Sequence, residues 1–536
     1  MNPQAMNSIL TPHPCSCGCC GHLAGVASGL NNVTRREFIH SVGAMTLGGL
    51  ALSGIDLSAA DGDPGPVRPP RARKTLRVQP VLTYELPQRR EGTSWRNWGG
   101  IQTEADVAKE KAQITAELTK LKTEAGFPLE ILPVAPVKDV TQAKAVAVGE
   151  FDTLLLYAAG GGWGGVFEAL MDRKDRHSLM FIRHEPGPVY LWYEIVHPRL
   201  LRKTVDEYEP KLGMDVNDVV VDKYSELLWR LRALAGLHQT LGKRIVCIGG
   251  PGGWGAGGQK APEISKALWK LDLLDYPYKE LEPRLKGAHQ DSGLIKRSEA
   301  AAARYLKQPR TTLETKLPFV NNAFVLTEVL KDIMDEARTD SITINACMGT
   351  IMGMSKTTAC LCLSLLNDDG YLAFCESDFV VIPSGILLHY ISGLPVFLND
   401  PTFPHDGMVT LAHCTAPRKM DGKKTERARI LTHFESDYGA APKVEMKVGQ
   451  FTTTLVPDFN CKKWVGFTGT IVGNPFLDIC RSQVDVKVHG DSALLLEQMK
   501  GFHWMLSYGD HLRECAYALK KLNVELLNVS ASAKLA

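Results

Sequence analysis

Apolar and polar positions repeat on two different scales along this chain. Up to about residue 340, short apolar runs take turns with longer stretches of helical period. Leu76–Leu82, Leu129–Leu132 and Phe151–Tyr157 read as strands, and Glu104–Thr123 as a helix with a polar face. Tyr224–Leu241 and Lys296–Tyr305 carry the helical period, and amphipathic Ala323–Arg338 leads into a strand at Ser341–Ala346. Strand and helix in alternation predict parallel α/β lobes. After His413 the scale shortens. Ile430–Phe434, Val444–Lys447, Phe451–Val456, Trp464–Val472 and Arg481–Val488 are alternating or β-branched, with turn formers such as Gly439, Gly449, Pro457 and Gly490 between them. This predicts an antiparallel β module. A helix at Leu494–Met499 and one opened by Tyr508-Gly509-Asp510 complete the chain.

The expected fold is therefore α/β. Two Rossmann-like α/β lobes, 76–170 and 171–338, precede a C-terminal α+β domain, 339–525, that contains an antiparallel β-barrel-like module; a tail follows at 526–536. A chain of 536 residues suits about two to four domains. A formal charge of +2 leaves no basic surface of the kind nucleic acid requires, so no nucleic-acid partner is expected.

The N-terminus changes the picture of where the protein works. Thr34-Arg35-Arg36-Glu37-Phe38-Ile39 has the form of a twin-arginine signal, followed by the uncharged stretch Val42–Ile55 and a cleavage site at Ser58-Ala59-Ala60. The apolar part is shorter than the roughly 20 residues a bilayer span needs. Residues 1–60 are thus expected to engage the twin-arginine export machinery and deliver a periplasmic protein, with 61–75 as a Pro-rich linker. Of the 13 cysteines, Cys15, Cys17, Cys19 and Cys20 would leave with the signal. Cys247, Cys347, Cys360, Cys362 and Cys375 lie in apolar runs and read as small buried hydrophobes. No disulfide framework is predicted.

Two glycine loops follow strands and echo each other. One runs from Gly160 to Gly165 around Trp163, the other from Gly249 to Gly255 around Trp254. Gly250, Gly252 and Gly255 spell G-x-G-x-x-G, with Asp272 and Asp275 about 20 residues on, as a dinucleotide site wants. That motif needs a helix to start inside it, and further glycines up to Lys260-Ala261-Pro262 delay one. A tight connection is the preferred reading and a nicotinamide dinucleotide site the alternative. Trp163 and Trp254 are candidates to stack on sugar faces, against the plainer role of core packing.

Candidate chemistry gathers between Phe374 and Pro417. Glu376 and Asp378 follow the apolar run Tyr371–Phe374, and in an extended segment both would project to one side. The plainer role is to cap the apolar helix expected at Val380–Tyr390. A short strand at Pro395–Leu398 ends in Asn399-Asp400-Pro401, and Val409–Ala412 leads into His413. Acids and an imidazole recur at the ends of apolar segments, where α/β proteins place chemistry. His433-Phe434-Glu435-Ser436-Asp437-Tyr438 reads as a solvated turn or a second acidic cluster.

From about Ser341 to Leu522 the chain resembles the L-fucose/L-arabinose isomerase superfamily. The residues that carry the likeness are Cys375-Glu376-Ser377-Asp378, Gly393-Leu394-Pro395-Val396-Phe397 with Asn399-Asp400, His413-Cys414, and His503-Trp504 ahead of Gly509-Asp510. The resemblance implies two α/β lobes before a barrel-containing domain, a homo-oligomer, and a divalent metal, Mn2+ before Mg2+. It also implies aldose–ketose interconversion through an enediol on a deoxy-sugar or pentose. Carried onto this chain, it makes Asp378 and His503 metal ligands and Glu376 a third ligand or the base, with Glu376 and Asp378 as the catalytic pair. His413 and Asp400 then hold sugar hydroxyls or support the metal ligands from behind. The chain departs from the family at Cys347–Leu366, where a second catalytic glutamate would fall and no Asp or Glu occurs. Either Glu376 takes that part or the chemistry differs. Two other functions therefore stand beside the first: an exported NAD(P)-dependent sugar oxidoreductase using Gly250–Gly255, and a non-catalytic carbohydrate-binding protein on the same scaffold.

Overall fold

Parallel pairing dominates the first half of the computed structural model, which describes residues 68–96, 101–160, 165–173, 175–184 and 214–530. The twin-arginine segment and Trp163 lie outside the described residues. The first sheet contains β1 (Leu76–Thr83), β2 (Leu129–Ile131), β3 (Ala135–Val137), β4 (Thr153–Ala158), β5 (His177–Ile182) and β6 (Val219–Val221). Its order is β2-β1-β4-β5-β6, with β3 also on β1, and every pairing is parallel. The helix Glu104–Glu124 between β1 and β2 opens on a capping box in which Thr103 and Asp106 bond each other's backbone amides.

The second sheet, also wholly parallel, has the order β11-β10-β7-β8. These strands are β7 (Arg244–Ile248), β8 (Asp272–Tyr276), β10 (Ser341–Ile344) and β11 (Leu372–Cys375). Every residue of β10 and β11 is buried; β11 is apolar throughout, while β10 alternates Ile342 and Ile344 with buried Ser341 and Thr343. The glycine loop after β7 goes through a short 3-10 turn before the helix Ala261–Leu268 begins, as its composition suggested. Gly253 is held so tightly that a Cβ there would sit 2.1 Å from the carbonyl oxygen of Gly258.

The C-terminal part is a closed six-stranded antiparallel barrel. Its strands are β12 (Phe397–Pro401), β13 (Met408–His413), β16 (Phe451–Val456), β17 (Lys463–Gly473), β18 (Ser482–Val488) and β19 (Trp504–Tyr508). They follow the order β16-β19-β12-β13-β18-β17, and β17 pairs back onto β16. A final strand, β20 (Glu525–Asn528), adds in parallel to β17. Two segments of the expected β module go elsewhere. β14 (Arg427–His433) and β15 (Tyr438–Glu445) form a separate sheet with β9 (Thr311–Leu313), which comes from far upstream. Their places in the barrel are taken by β12, β13 and β19, so the barrel begins before His413.

The helix Ile382–Ser392 ties these layers together. Residues 382–391 are all buried, so no polar face is needed. Pro383 lies in its first turn, and Gly393 ends it in the left-handed conformation at φ 74°. It packs on β19 and on the helix Tyr224–Thr240. That second contact is close enough that a Cβ on Gly236 would meet Ile391 at 2.4 Å.

Candidate active site at the barrel rim

The site forms where the carboxyl ends of the second sheet face the rim of the barrel, the usual place for chemistry in an open parallel sheet. Glu376 follows β11 directly. It does not continue as an extended strand: Glu376 and Ser377 both take left-handed backbone, at φ 64° and 49°. Two successive non-glycine residues in this region cost about 1–2 kcal/mol each. The turn is held by neighbours. The amide of Ser377 donates to Thr343 Oγ1 at 3.1 Å, and its carbonyl accepts from Gly252 at 3.2 Å. The amide of Phe379 donates back to the Gly252 carbonyl at 3.0 Å. The glycine loop thus clamps the acidic turn.

Barrel register brings the remaining groups. Asn399 of β12 faces Trp504 of β19, and Asp400 faces Ala412 of β13. Asp400, His413 at the end of β13 and His503 just before β19 therefore meet at one rim. Their ligand atoms all lie within 4.8 Å of one another. His413 also belongs to a second group of that spacing, with Glu376 and the thiol of Cys375, itself 3.8 Å from the thiol of Cys347.

His503 is the centre of this arrangement. Its side chain is fully buried, with Nδ1 2.8 Å from Asp378 Oδ2. Its Nε2 faces Asp400 Oδ1 at 3.2 Å and Glu376 Oε2 at 3.4 Å. Among the described residues, neither Nε2 nor Asp400 Oδ1 is in hydrogen-bonding alignment with a partner, although both are buried. Asp378 is placed differently from the other acids. Its Oδ1 accepts from the amides of Trp254 at 3.2 Å and Val380 at 3.0 Å, while Oδ2 engages His503. Three hydrogen bonds occupy most of its acceptor capacity, and it holds the imidazole at Nδ1, on the side away from Asp400 and Glu376. The capping role that the sequence suggested is not filled: the helix starts at Ile382 with Val381 as its cap and no side-chain capping bond, and Val380 lies ahead of it. His413 is oriented in a similar way, with Thr415 Oγ1 3.2 Å from its Nδ1.

Electrostatics follow from this packing. Burial opposes the charge on His503, but the hydrogen bond to Asp378, with Glu376 and Asp400 behind it, carries its pKa up to about 10. Burial pushes the Glu376 carboxyl up; the contact with His503 and the nearby His413 outweigh it, leaving the net shift downward. Burial raises the Asp400 carboxyl and lowers the His413 imidazole. Oxygen and imidazole donors suit a hard or borderline divalent cation, and such a cation competes with the proton on Nε2 for one spot.

The open side is aromatic. Trp254 stacks on Phe502 at 4.6 Å and 25°, and both rings meet the His503 imidazole edge-on. They remain 43% and 42% exposed, while the side chains of Glu376 and Asp400 are 30% and 33% exposed. A cavity of about 280 Å3 lined by Tyr305, Phe324, Asp368 and Lys419 contains none of these groups.

Of the residues singled out in the sequence, Glu376, Asp378, Asp400, His413, His503 and Trp254 come together, and Trp163 lies outside the described residues. Sequence reasoning missed Phe502, Thr415 and Thr343. The first two had a legible signal, adjacency to His503 and an i, i+2 relation to His413; Thr343 had none. No protein-family model matches the chain, and a search of curated proteins finds no match either.

Proposed function

We propose that the protein is a metal-dependent sugar isomerase acting on a deoxy-sugar or pentose, with a divalent cation of the Mn2+ or Mg2+ type. The observation that carries this reading is the pair of buried, misaligned atoms, His503 Nε2 and Asp400 Oδ1, beside His413 in one ring of donors. The two atoms face each other at 3.2 Å without hydrogen-bonding alignment, and a ring of oxygen and imidazole donors fits one cation. His503, His413 and Asp400 would hold it, with Glu376 at the edge. Asp378 would complete a carboxylate–histidine–metal arrangement from the outer side.

The bound cation would supply polarisation of a carbonyl and its neighbouring hydroxyl. The chain's own residues supply the rest. Glu376 is ionised and partly open to solvent, so it is placed to take and return the proton between adjacent sugar carbons. This gives one carboxylate the part that the likeness assigns to two. Trp254 and Phe502 offer an apolar wall to a sugar ring face. On the same reading the two parallel sheets are Rossmann-like lobes, the chain assembles as a homo-oligomer, and Arg35-Arg36 direct its export. The NAD(P) alternative has less behind it, because the backbone of the second glycine loop is already engaged with Ser377 and Phe379.

Isomerisation in deuterated water tests the proposal. The expected result is manganese-dependent deuterium uptake next to the carbonyl of at least one pentose or 6-deoxyhexose, lost in Glu376→Gln. Binding of such sugars with no exchange under any metal would leave a carbohydrate-binding protein instead.

A further inference from the structure

The strand end that delivers His413 to the rim delivers the next residue to a different cluster. Cys414, Cys360 and His433 are all buried, and their ligand atoms lie within 4.8 Å of one another. Cys480, partly buried, packs against the same group. The four residues come from four places: the second position of the helix Ala359–Asp368, the residue after β13, the last residue of β14, and the segment just before β18.

We infer that Cys360, Cys414, His433 and Cys480 form a second metal site, a thiolate site for an ion of the zinc type. The donor set is the Cys3His set of structural zinc. With Zn–S at about 2.3 Å and Zn–N at about 2.0 Å, tetrahedral donors stand about 3.5 Å apart, inside the 4.8 Å that bounds Cys360, Cys414 and His433; Cys480, packed against them, would close in as the fourth donor. The Ser436 hydroxyl lies 3.2 Å from His433 Nδ1, which leaves Nε2 for the cluster. Cys360 sits in the first turn of its helix. Three thiolates on a divalent ion leave one negative charge. Arg481, next to Cys480, is positioned to balance it: its guanidinium bonds the Thr432 carbonyl at 2.8 Å and lies over the Phe434 ring. A disulfide is the competing use for these thiols, but it joins only two of three and leaves the imidazole unused.

The site would be structural. It pins the end of β13, the end of β14, the start of β18 and a helix outside the barrel, and so fixes the backbone that carries His413. It is independent of the isomerase reading, since softer donors select a different ion from the carboxylate ring nearby.

The test uses the full chain loaded with Co2+. The wild type should show sulfur-to-cobalt charge-transfer absorption. Cys414→Ser and Cys360→Ser should lose it, and His503→Ala should keep it. Should the serine variants fold poorly, the folded wild type treated with a mercurial should release one zinc ion per chain, read by a colorimetric chelator. Absence of thiolate absorption in the reduced wild type would overturn the inference. So would a Cys414 disulfide to Cys360 or Cys480 found by mass spectrometry, or absorption that survives Cys414→Ser and disappears in His503→Ala. Failure of sugar isomerisation with these bands intact would count against the activity alone.

Discussion

Two clusters of donors lie one residue apart along the chain and differ in almost every physical respect. The ring at the barrel rim offers carboxylate oxygens and imidazole nitrogens, with Glu376 and Asp400 partly open to solvent. The cluster beyond it offers thiols and one imidazole, and three of its four members are buried. His413 belongs to one and Cys414 to the other because neighbouring residues at a strand end project to opposite sides. Accessible hard donors suit reversible chemistry on an oxygen-rich substrate, whereas sequestered soft donors suit a permanent structural ion. The two clusters thus differ in donor type and in the partly open carboxylates of the rim, while the imidazoles of both are buried.

The sharpest way to break this contrast is His503→Ala. Elemental analysis should find manganese reduced from about one ion per chain to none, with sulfur-bound metal retained; loss of both would merge the clusters into one site. Glu376→Gln should lower turnover by about 10²- to 10⁴-fold while metal content holds, as expected for a proton-transfer group. Asp378→Asn separates orientation from ligation. If Asp378 only orients His503, metal affinity should weaken about 10- to 100-fold, and urea denaturation should show about 3 kcal/mol lost from the broken buried pair. Complete loss of metal would restore Asp378 to the ligand role that the family resemblance implies.

The pH dependence of the chelator-treated protein gives a smaller effect of known sign. His503 has a folded-state pKa of about 10 against an ordinary 6.5. Its contribution is therefore complete below pH 6.5 and is lost as pH rises through about 10. Between those values the urea midpoint should fall more steeply for wild type than for His503→Gln. Last, Trp254→Ala should raise KM about three- to tenfold with little change in kcat, the size expected for one lost aromatic contact.

Much of this organisation was legible in the sequence where it was local. Phe451–Val456 was outlined to the residue by its β-branched run, and the buried helix after the acids was expected at Val380–Tyr390 from its apolar length and lies two residues on, at Ile382–Ser392. The acidic pair and His503 were legible through motif likeness. The geometry joining them was not. Glu376 and Asp378 were expected to share one side of an extended segment, yet they reach different nitrogens of His503 from a left-handed turn. That turn is imposed by Gly252 and Thr343, far away in the chain. β14 and β15 have sound strand patterns, but periodicity says nothing about which sheet a strand joins, and β9 captures them. The thiol cluster was invisible for the same reason: its members are tens of residues apart, and each alone reads as a small apolar filler.

Asp378 takes hydrogen bonds from Trp254 on one side and His503 on the other, across 124 and 125 residues of chain. Contacts of such span form late, after their long loops have closed. A nascent chain halted before residue 503 would own a finished parallel sheet and an empty workshop.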